Sequence, residues 1–114
     1  MTLANLIDKY GFKVLTNSNE YLSRTVTGAY ACDLLSHAMA KLNMGDAWVT
    51  VHTNLNVVAV ASLAEAACVI IPEDIEVEQQ TISRAEEKGV VILSGSASSA
   101  EICYEILSEL RKTV

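Results

Sequence analysis

Three groups of polar residues in this 114-residue chain carry side chains that could contact a ligand. The first is the run His52-Thr53-Asn54, which interrupts a long apolar stretch from Trp48 to Pro72. That stretch predicts a βαβ unit, and its polar run would lie where a strand gives way to a helix N-terminus. Ligands of parallel α/β proteins usually bind there. The imidazole could donate or accept a hydrogen bond to a ligand. Alternatively, Asn54 or Asn56 only caps the helix, and His52 only bonds to a backbone carbonyl.

The second group consists of Arg24, Thr27 and Gly28, followed by Asp33. Arg24 is the only cation between residues 23 and 36, and its planar guanidinium suits a phosphate or a carboxylate. Asp33 is placed to cap or to open the next helix. We therefore predict that a small anionic ligand binds where this group approaches the turn at 52–54. The alternative is a structural Arg24 that is paired with Asp33 or with a neighbouring helix.

The third group is the loop SGSASS, in which Ser94, Gly95, Ser96 and Ser98 precede the last predicted helix. Its backbone amides and the helix N-terminus could hold an anion. The loop lacks the phosphate-binding patterns GxxxxGK[ST] and GxGxxG, and a tight turn with a capping serine uses the same residue types. It is therefore a secondary candidate. An autonomous kinase is not predicted, because the sequence shows neither a phosphate-binding lysine motif nor paired metal carboxylates.

The cysteines Cys32, Cys68 and Cys103 lie far apart in the sequence, without CxxC or Cys/His spacing. Their neighbours are apolar or small, which is typical of cysteines that pack as small hydrophobic side chains. Their odd number also argues against a disulfide framework. The sequence therefore predicts no metal site and no bound cofactor.

The composition limits the classes of function. The chain is 51% hydrophobic and 19% charged, with a net charge of -6. Eight scattered Lys and Arg residues do not make the basic face that nucleic acid requires. The longest uncharged run is too polar at its centre to span a membrane, and the chain does not start with a secretory signal, so we expect a cytoplasmic protein. The shortage of charge predicts that some apolar surface meets a second copy in a homodimer.

The elements that would position these groups alternate along the chain. Thr2 and Gly11 bound a first predicted helix, and the centre of Tyr21–Tyr30 is predicted as a strand with a glycine near its end. Further strands are predicted at Phe12–Leu15, from Trp48, at Ala67–Ile71 and at Val90–Leu93, with further helices after Asp33, after Asn54, from about Glu78 to Lys88, and after a capping box at Ser98 and Glu101. Alternation of this kind requires parallel pairing. We predict one α/β domain over residues 1–114, with a three-layer α/β/α architecture and a mainly parallel sheet.

Two blocks of the sequence resemble a known family. The run from Ser23 to Ser36, SRTVTGAYACDLLS, resembles the signature of DRTGG domains, which reads Asp-Arg, two residues, Thr-Gly-Gly, and then Asp-Leu-Leu-Ser. The run from Trp48 to Ala61, WVTVHTNLNVVAVA, is similar to the second block of that family. The chain departs from the signature at two positions, with Ser23 in place of the Asp and Ala29 in place of the second Gly.

The resemblance implies a non-catalytic regulatory or ligand-sensing domain that acts through a partner protein. It also implies a fold similar to the N-terminal domain of HPr kinase/phosphorylase, without the catalytic domain, so a serine kinase name would be inherited by similarity. The motif positions that it implies are Arg24, Thr27, Gly28, Asp33, His52 and Asn54. Two alternatives stay open: a structural homodimerisation or adaptor module without a small ligand, and, third, an enzyme.

Overall fold

The structure is a computed structural model that describes residues 1–112. Five α-helices, five strands and one short 3-10 helix make up this part of the chain. The elements in chain order are α1 (Leu3–Tyr10), β1 (Lys13–Val14), the 3-10 helix (Asn19–Tyr21), β2 (Gly28–Ala31), α2 (Leu35–Lys41), β3 (Asp46–Val49), α3 (Asn56–Ala64), β4 (Cys68–Ile71), α4 (Gln79–Lys88), β5 (Ile92–Ser94) and α5 (Ser99–Arg111).

The five strands form one sheet in the order β1-β5-β4-β3-β2. The strands β2, β3, β4 and β5 run parallel to their neighbours, and β1 pairs with β5 in the antiparallel direction. A helix connects each parallel strand to the next, as the alternating sequence pattern predicts. The prediction of a mainly parallel sheet is confirmed, and β1 and β2 are its two edges.

Helices cover both faces of the sheet, so the predicted three-layer architecture is also confirmed. One face packs against α2, α3 and α4, and the other packs against α1 and α5. Successive strand residues point to opposite faces. In β4, for example, Val69 and Ile71 enter the first core while Cys68 and Ile70 enter the second. This is why β4 is a continuous apolar run in sequence and not an alternating one.

Trp48 is the largest side chain of the first core and is fully buried at the centre of β3. Its indole Nε1 donates to the carbonyl oxygen of Cys32 at 2.9 Å. Cys32 directly follows β2, so the ring both fills the core and fixes the end of the neighbouring strand. A buried indole N–H requires such a partner, because an unsatisfied donor in the core is costly.

The predicted limits of the first and last helices agree with the structure. The Thr2 hydroxyl accepts from the Asn5 amide at 3.1 Å, and Gly11 ends α1 in the left-handed region with a φ of 67°. At α5 the Ser98 hydroxyl accepts from the Glu101 amide at 3.2 Å. None of the helices in residues 1–112 is both long enough and apolar enough to cross a bilayer.

Three predicted strands differ from the structure, and β3 differs least, since it begins at Asp46 and not at Trp48. The prediction of a strand in the centre of Tyr21–Tyr30 is wrong, since β2 begins only at Gly28. The preceding segment instead makes a turn, in which the Arg24 amide donates to Tyr21 at 3.0 Å, and the Arg24 carbonyl accepts from the Leu3 amide at 2.9 Å. Its backbone is therefore bonded to the start of α1. The last strand is also displaced, because the Val90 amide still bonds to the end of α4.

Candidate functional site

Arg24 lies at the amino ends of the parallel strands. Its Nη1 donates to the carbonyl of Ala67, just before β4, at 3.1 Å, and its Nη2 donates to the carbonyl of Gly89, just after α4, at 3.3 Å. The guanidinium carbon stands 4.5 Å from the centre of the Tyr21 ring. This geometry fixes a planar cation between two main-chain carbonyls and an aromatic face. Of the alternative in which Arg24 is structural, the pairing with Asp33 is not found, whereas the bond to Gly89 at the end of α4 does tie Arg24 to a neighbouring helix.

Thr27 and Gly28 lie at the start of β2, next to the turn that precedes β3. The Thr27 amide donates to the Gly45 carbonyl at 2.9 Å, and its hydroxyl donates to the Met44 carbonyl at 3.3 Å. A Cβ atom on Gly28 would stand only 2.6 Å from Oδ1 of Asp46, so a larger residue would force the carboxylate to move. Gly28 thus accommodates a close approach of the Asp46 carboxylate to the backbone.

Arg24 borders a groove of about 480 Å³ at this end of the sheet. Lys88 is its second cation, Glu65 is its carboxylate, and Ser62 of α3 lines one wall. The carboxyl ends of α3 and α4 reach the groove and add partial negative charge beside the two cations and Glu65. The volume lies in the range of small-molecule sites.

A second groove, of about 530 Å³, lies between α1 and α5. Lys9 and Glu109 form an ion pair on its wall, and this pair raises the pKa of Lys9 and lowers that of Glu109. The second groove contains none of the motif residues. The groove beside Arg24 is therefore the stronger candidate site.

Asp33 lies at the opposite, carboxyl end of β2. Its Oδ1 accepts from the Thr50 hydroxyl and from the Val51 amide, both at 2.9 Å. The residue before α2 is Leu34, which makes no side-chain cap, so the prediction that Asp33 caps this helix is wrong. Asp33 instead joins the end of β2 to the end of β3, because its carboxylate finds an unpaired amide and a hydroxyl there.

The turn His52-Thr53-Asn54 is held by its own hydrogen bonds and by α4. The His52 amide donates to the Thr50 hydroxyl at 3.2 Å, and the Thr53 carbonyl accepts from Thr81 of α4 at 2.7 Å. Oδ1 of Asn54 accepts from the Asn56 amide at 2.9 Å, at the first residue of α3. The N-cap residue of α3 is Leu55, which makes no side-chain cap, so Asn54 does not cap this helix and instead bonds to the amide of its first residue. The His52 side chain is half-buried.

The structure does not bring the two predicted halves of the site together. The segment 24–28 precedes β2, whereas Asp33 and the turn 52–54 follow β2 and β3. Four strand residues separate the two ends, a span of roughly 10 Å. The expectation that Arg24 and His52 share one site is wrong for this reason: it placed Arg24 inside a strand that in fact begins later.

The backbone of the secondary candidate loop, residues 94–99, is hydrogen-bonded to the end of β4 and to the acidic turn that follows it. The Gly95 amide donates to Ile71 at 3.0 Å, and the Gly95 carbonyl accepts from the Asp74 amide at 2.9 Å. A Cβ on Gly95 would meet the Phe12 ring at 2.8 Å, so this glycine is a packing requirement. Ser94 ends β5, Ser96 is exposed, and Ser98 caps α5. The neighbouring carboxylates disfavour an anion here.

The three cysteines are free thiols. Cys68 is fully buried, and burial raises its pKa to about 12. Burial also raises the pKa of Cys103, which is half-buried, and the Cys32 thiol donates to the Leu34 carbonyl at 3.5 Å. Cys68 therefore packs as the small buried side chain that the sequence predicts, whereas the other two lie nearer the surface. Within residues 1–112, no group of three potential ligands is placed to hold a metal ion.

Several residues of the groove escape sequence reasoning. Ala67 and Gly89 act through main-chain carbonyls, which carry no side-chain signal. Lys88 and Glu65 are isolated charges in the sequence, and only the fold brings them beside Arg24. The contact between Gly28 and Asp46 did have a signal, since a glycine in a strand often marks a close backbone approach.

The profile of the DRTGG domain family matches residues 5–108. A solved structure of the CBS and DRTGG domains of the regulatory region of Clostridium perfringens pyrophosphatase, complexed with the activator diadenosine tetraphosphate, matches with a TM-score of 0.69 and 10% identity. The match covers 89% of this chain and 44% of that one, so this chain spans less than half of its length. No curated protein matches the sequence. At this identity the structural likeness concerns the fold alone, but the profile covers most of the chain, and the protein belongs to the DRTGG domain family.

Proposed function

We propose that the chain is a non-catalytic regulatory domain that senses a small anionic or nucleotide-like ligand and acts through a partner protein. The proposed site is the groove beside Arg24. The observation that carries the proposal is the fixed guanidinium: two of its five N–H groups donate to carbonyls among residues 1–112, and the plane is held against Tyr21. The other three N–H groups are the donors that a phosphate or a carboxylate in the groove would use.

The fold likeness suggests which ligands to test first. The matched pyrophosphatase structure contains a regulatory region in complex with diadenosine tetraphosphate. A polyphosphate of this kind carries the charge that Arg24 and Lys88 would recognise. We therefore begin with diadenosine tetraphosphate, and then mononucleotides and inorganic phosphate, as probes of this chain.

No catalytic role is proposed for the groove. Its lining contains Arg24, Lys88, one carboxylate and hydroxyl side chains, but no histidine and no cysteine. General acid–base catalysis uses histidine most often, and nucleophilic catalysis requires a nucleophile that is activated by an adjacent base. A serine kinase name for this chain would thus rest on similarity. The three free cysteines suit a reducing compartment, so we also propose a cytoplasmic location.

The test is a thermal-shift titration with diadenosine tetraphosphate. A ligand at 100 times its dissociation constant stabilises the folded state by about 2.7 kcal/mol. Lys88→Ala should weaken binding by about tenfold, the loss expected for one charge-assisted contact. Ser62→Trp should abolish binding by filling the groove. Lys13→Ala is the matched control, because Lys13 is an exposed lysine of β1 that does not line the groove.

Unchanged affinity in both Lys88→Ala and Ser62→Trp would remove this groove from consideration. The turn 52–54 would then be the next site to examine.

A second candidate function is a homodimerisation or adaptor module without a small ligand. The observation that favours it is a set of large apolar side chains with more than half of their surface exposed. These include Leu34 at 64%, Met39 at 55%, Leu63 at 74% and Tyr104 at 72%. Exposed apolar side chains of this size would lose contact with water if a second copy covered them. If no phosphorylated probe shifts the melting temperature and the protein sediments as a dimer at micromolar concentration, this candidate replaces the first.

A further inference from the structure

We propose that a second copy of this chain pairs with β2 in the antiparallel direction, so that the two sheets continue into one. The inference concerns assembly and does not depend on a ligand in the groove. It gives the second candidate function a defined surface. It starts from the two edges of the sheet, β1 and β2, which the strand order leaves without an outer neighbour.

The two edges differ in how well they are protected. β1 has two residues, and one of them is the exposed Lys13, a charged side chain of the kind that blocks edge-to-edge pairing. β2 has four residues, Gly28–Ala31, and contains neither a charge nor a proline. An uncharged edge of this length presents free backbone groups to another strand. The unprotected edge is therefore β2.

The backbone of β2 is suited to pairing with itself. The Cys32 amide donates to the Val49 carbonyl at 3.4 Å, so the amide and carbonyl of Cys32 face β3. Backbone groups alternate along a strand, and those of Ala31 and Ala29 therefore face the open side. In an antiparallel pair, Ala29 of one copy would lie opposite Ala31 of the other and exchange two hydrogen bonds with it. A two-fold axis at Tyr30 also places Ala31 of the first copy opposite Ala29 of the second, so both copies make the same hydrogen bonds.

Exposed apolar side chains lie on the segments that follow β2 and on a helix that packs against it. Leu34 follows β2 by three residues, and Met39 lies on α2, the helix that leads away from β2. On the other face α5 packs on β2 and carries the exposed Tyr104. When two edge strands pair, the helices beside them approach their counterparts. Any of these apolar side chains that the second copy covers would add to the backbone hydrogen bonds.

The decisive variant is Ala31→Pro. Ala31 is exposed, and its amide faces away from β3, so proline removes an intermolecular donor without breaking the sheet within one chain. Val14→Pro is the matched control on the other edge. The Leu15 amide donates to Ile92 at 2.9 Å, so the amide of Val14 faces the open side of β1 by the same alternation. Sedimentation equilibrium at micromolar concentration should give twice the chain mass for the wild type and Val14→Pro, and the single mass for Ala31→Pro.

Two results would overturn the inference. A wild type that sediments as a monomer removes both the dimer and the second candidate function, and it leaves the groove proposal intact. An Ala31→Pro variant that stays dimeric removes only the β2 surface. If Ala31→Pro does not fold, Ala31→Lys can replace it, because it retains the backbone amide. Its lysine puts a charge on β2 that disfavours edge-to-edge pairing, as Lys13 does on β1. This variant should also have the single chain mass, and a dimeric Ala31→Lys protein would count against the inference equally.

Discussion

Arg24 connects three segments of the chain through one planar group. It contacts the Tyr21 ring, the residue before β4 and the residue after α4. Because its nitrogen atoms bond to main-chain oxygens, the position demands a guanidinium more strictly than it demands a positive charge. A lysine has a single donor atom and cannot reach both carbonyls in the same geometry.

At the residue scale we therefore predict that Arg24→Ala lowers the free energy of unfolding by about 2 kcal/mol, since hydrogen bonds from a charged group stabilise by about 1.5–3 kcal/mol and part of the side chain is exposed. Arg24→Lys should recover only a fraction of this loss. Urea unfolding measures both. The control is Arg84→Ala, which removes an exposed pair with Glu87 and should cost less than about 1 kcal/mol. Equal stability of Arg24→Ala and Arg84→Ala would contradict this account.

Gly28 gives a second prediction at the same scale. The added methyl group of Gly28→Ala meets the Asp46 carboxylate and should cost about 1–3 kcal/mol, the usual penalty for overpacking. In the background of Asp46→Ala the same substitution should cost much less, because the oxygen that it would strike is gone. A double-mutant cycle in urea should give a coupling of about 0.5–3 kcal/mol. Additive effects would show that the close contact is not the reason for this glycine.

The Cys68 thiol makes stability depend on alkaline pH. Its pKa is raised by burial from 9.0 to about 12. Below pH 9 both the folded and the unfolded states hold the proton, and between pH 9 and 12 only the folded state does. Unfolding therefore releases a proton in this window, and the free energy of unfolding falls there by up to about 1.4 kcal/mol per pH unit.

Cys68→Ala should remove this contribution. Urea unfolding of both proteins between pH 8 and 10 measures the difference, which cancels the titration of the other groups. Parallel slopes for the two proteins would rule the effect out. Thiol reagents should label Cys68 only after unfolding, because the buried thiol is both neutral and inaccessible.

At the scale of elements, Asp33 links the ends of two strands, whereas Ser98 caps a helix. Asp33→Ala removes the bonds between β2 and β3 and should cost about 1–3 kcal/mol, whereas Asp33→Asn keeps an acceptor and should cost less. Ser98→Ala removes a true helix cap and should cost about 1 kcal/mol. Far-UV circular dichroism and urea unfolding report the outcome. A neutral Asp33→Ala would mean that the two strand ends do not need this link.

The order of the elements was predictable from the sequence because the signals are local. Buried apolar runs, left-handed glycines and capping hydroxyls mark the ends of α1, β4 and α5. The segment before β2 was not predictable by the same means. Its alternating residues resemble a strand, but its backbone hydrogen bonds go to α1, which lies far away in the sequence. Tertiary hydrogen bonding thus overrides the local pattern.

The candidate site was only partly predictable for a related reason. The motif identified Arg24, Thr27, Gly28 and Asp33, and each of these residues makes a specific contact in the structure. The error lay in their arrangement. Residues that precede a strand and residues that follow it lie at opposite ends of a sheet, so an error in the start of β2 merged two separate places into one.

At the scale of the whole molecule, the groove joins segments that no sequence window contains together. Arg24 comes before β2, Ser62 from α3 and Lys88 from the end of α4. Their proximity depends on the strand order, because β3 and β4 bring the ends of α3 and α4 beside the segment before β2. A groove of this kind can be read only from the complete fold.

The burial of Trp48 gives the protein its own optical reporter. It is the single tryptophan of the chain, so the intrinsic fluorescence has one dominant source. The indole is enclosed in the core, and its N–H is bonded to the residue after β2. The native emission should therefore lie at short wavelength, and it should shift to the red as soon as the end of β2 detaches and water reaches the ring.

The spectrum consequently separates two events that a change in mass alone would confuse. A variant that loses its second copy but keeps the native emission still has β2 attached to β3, whereas a red-shifted spectrum signals a damaged sheet. We expect Ala31→Pro to keep the native emission spectrum. For Asp33→Ala, we expect the red shift to occur at a lower urea concentration than it does for the wild type. A fluorimeter and unlabelled protein are sufficient to follow the fate of this one strand.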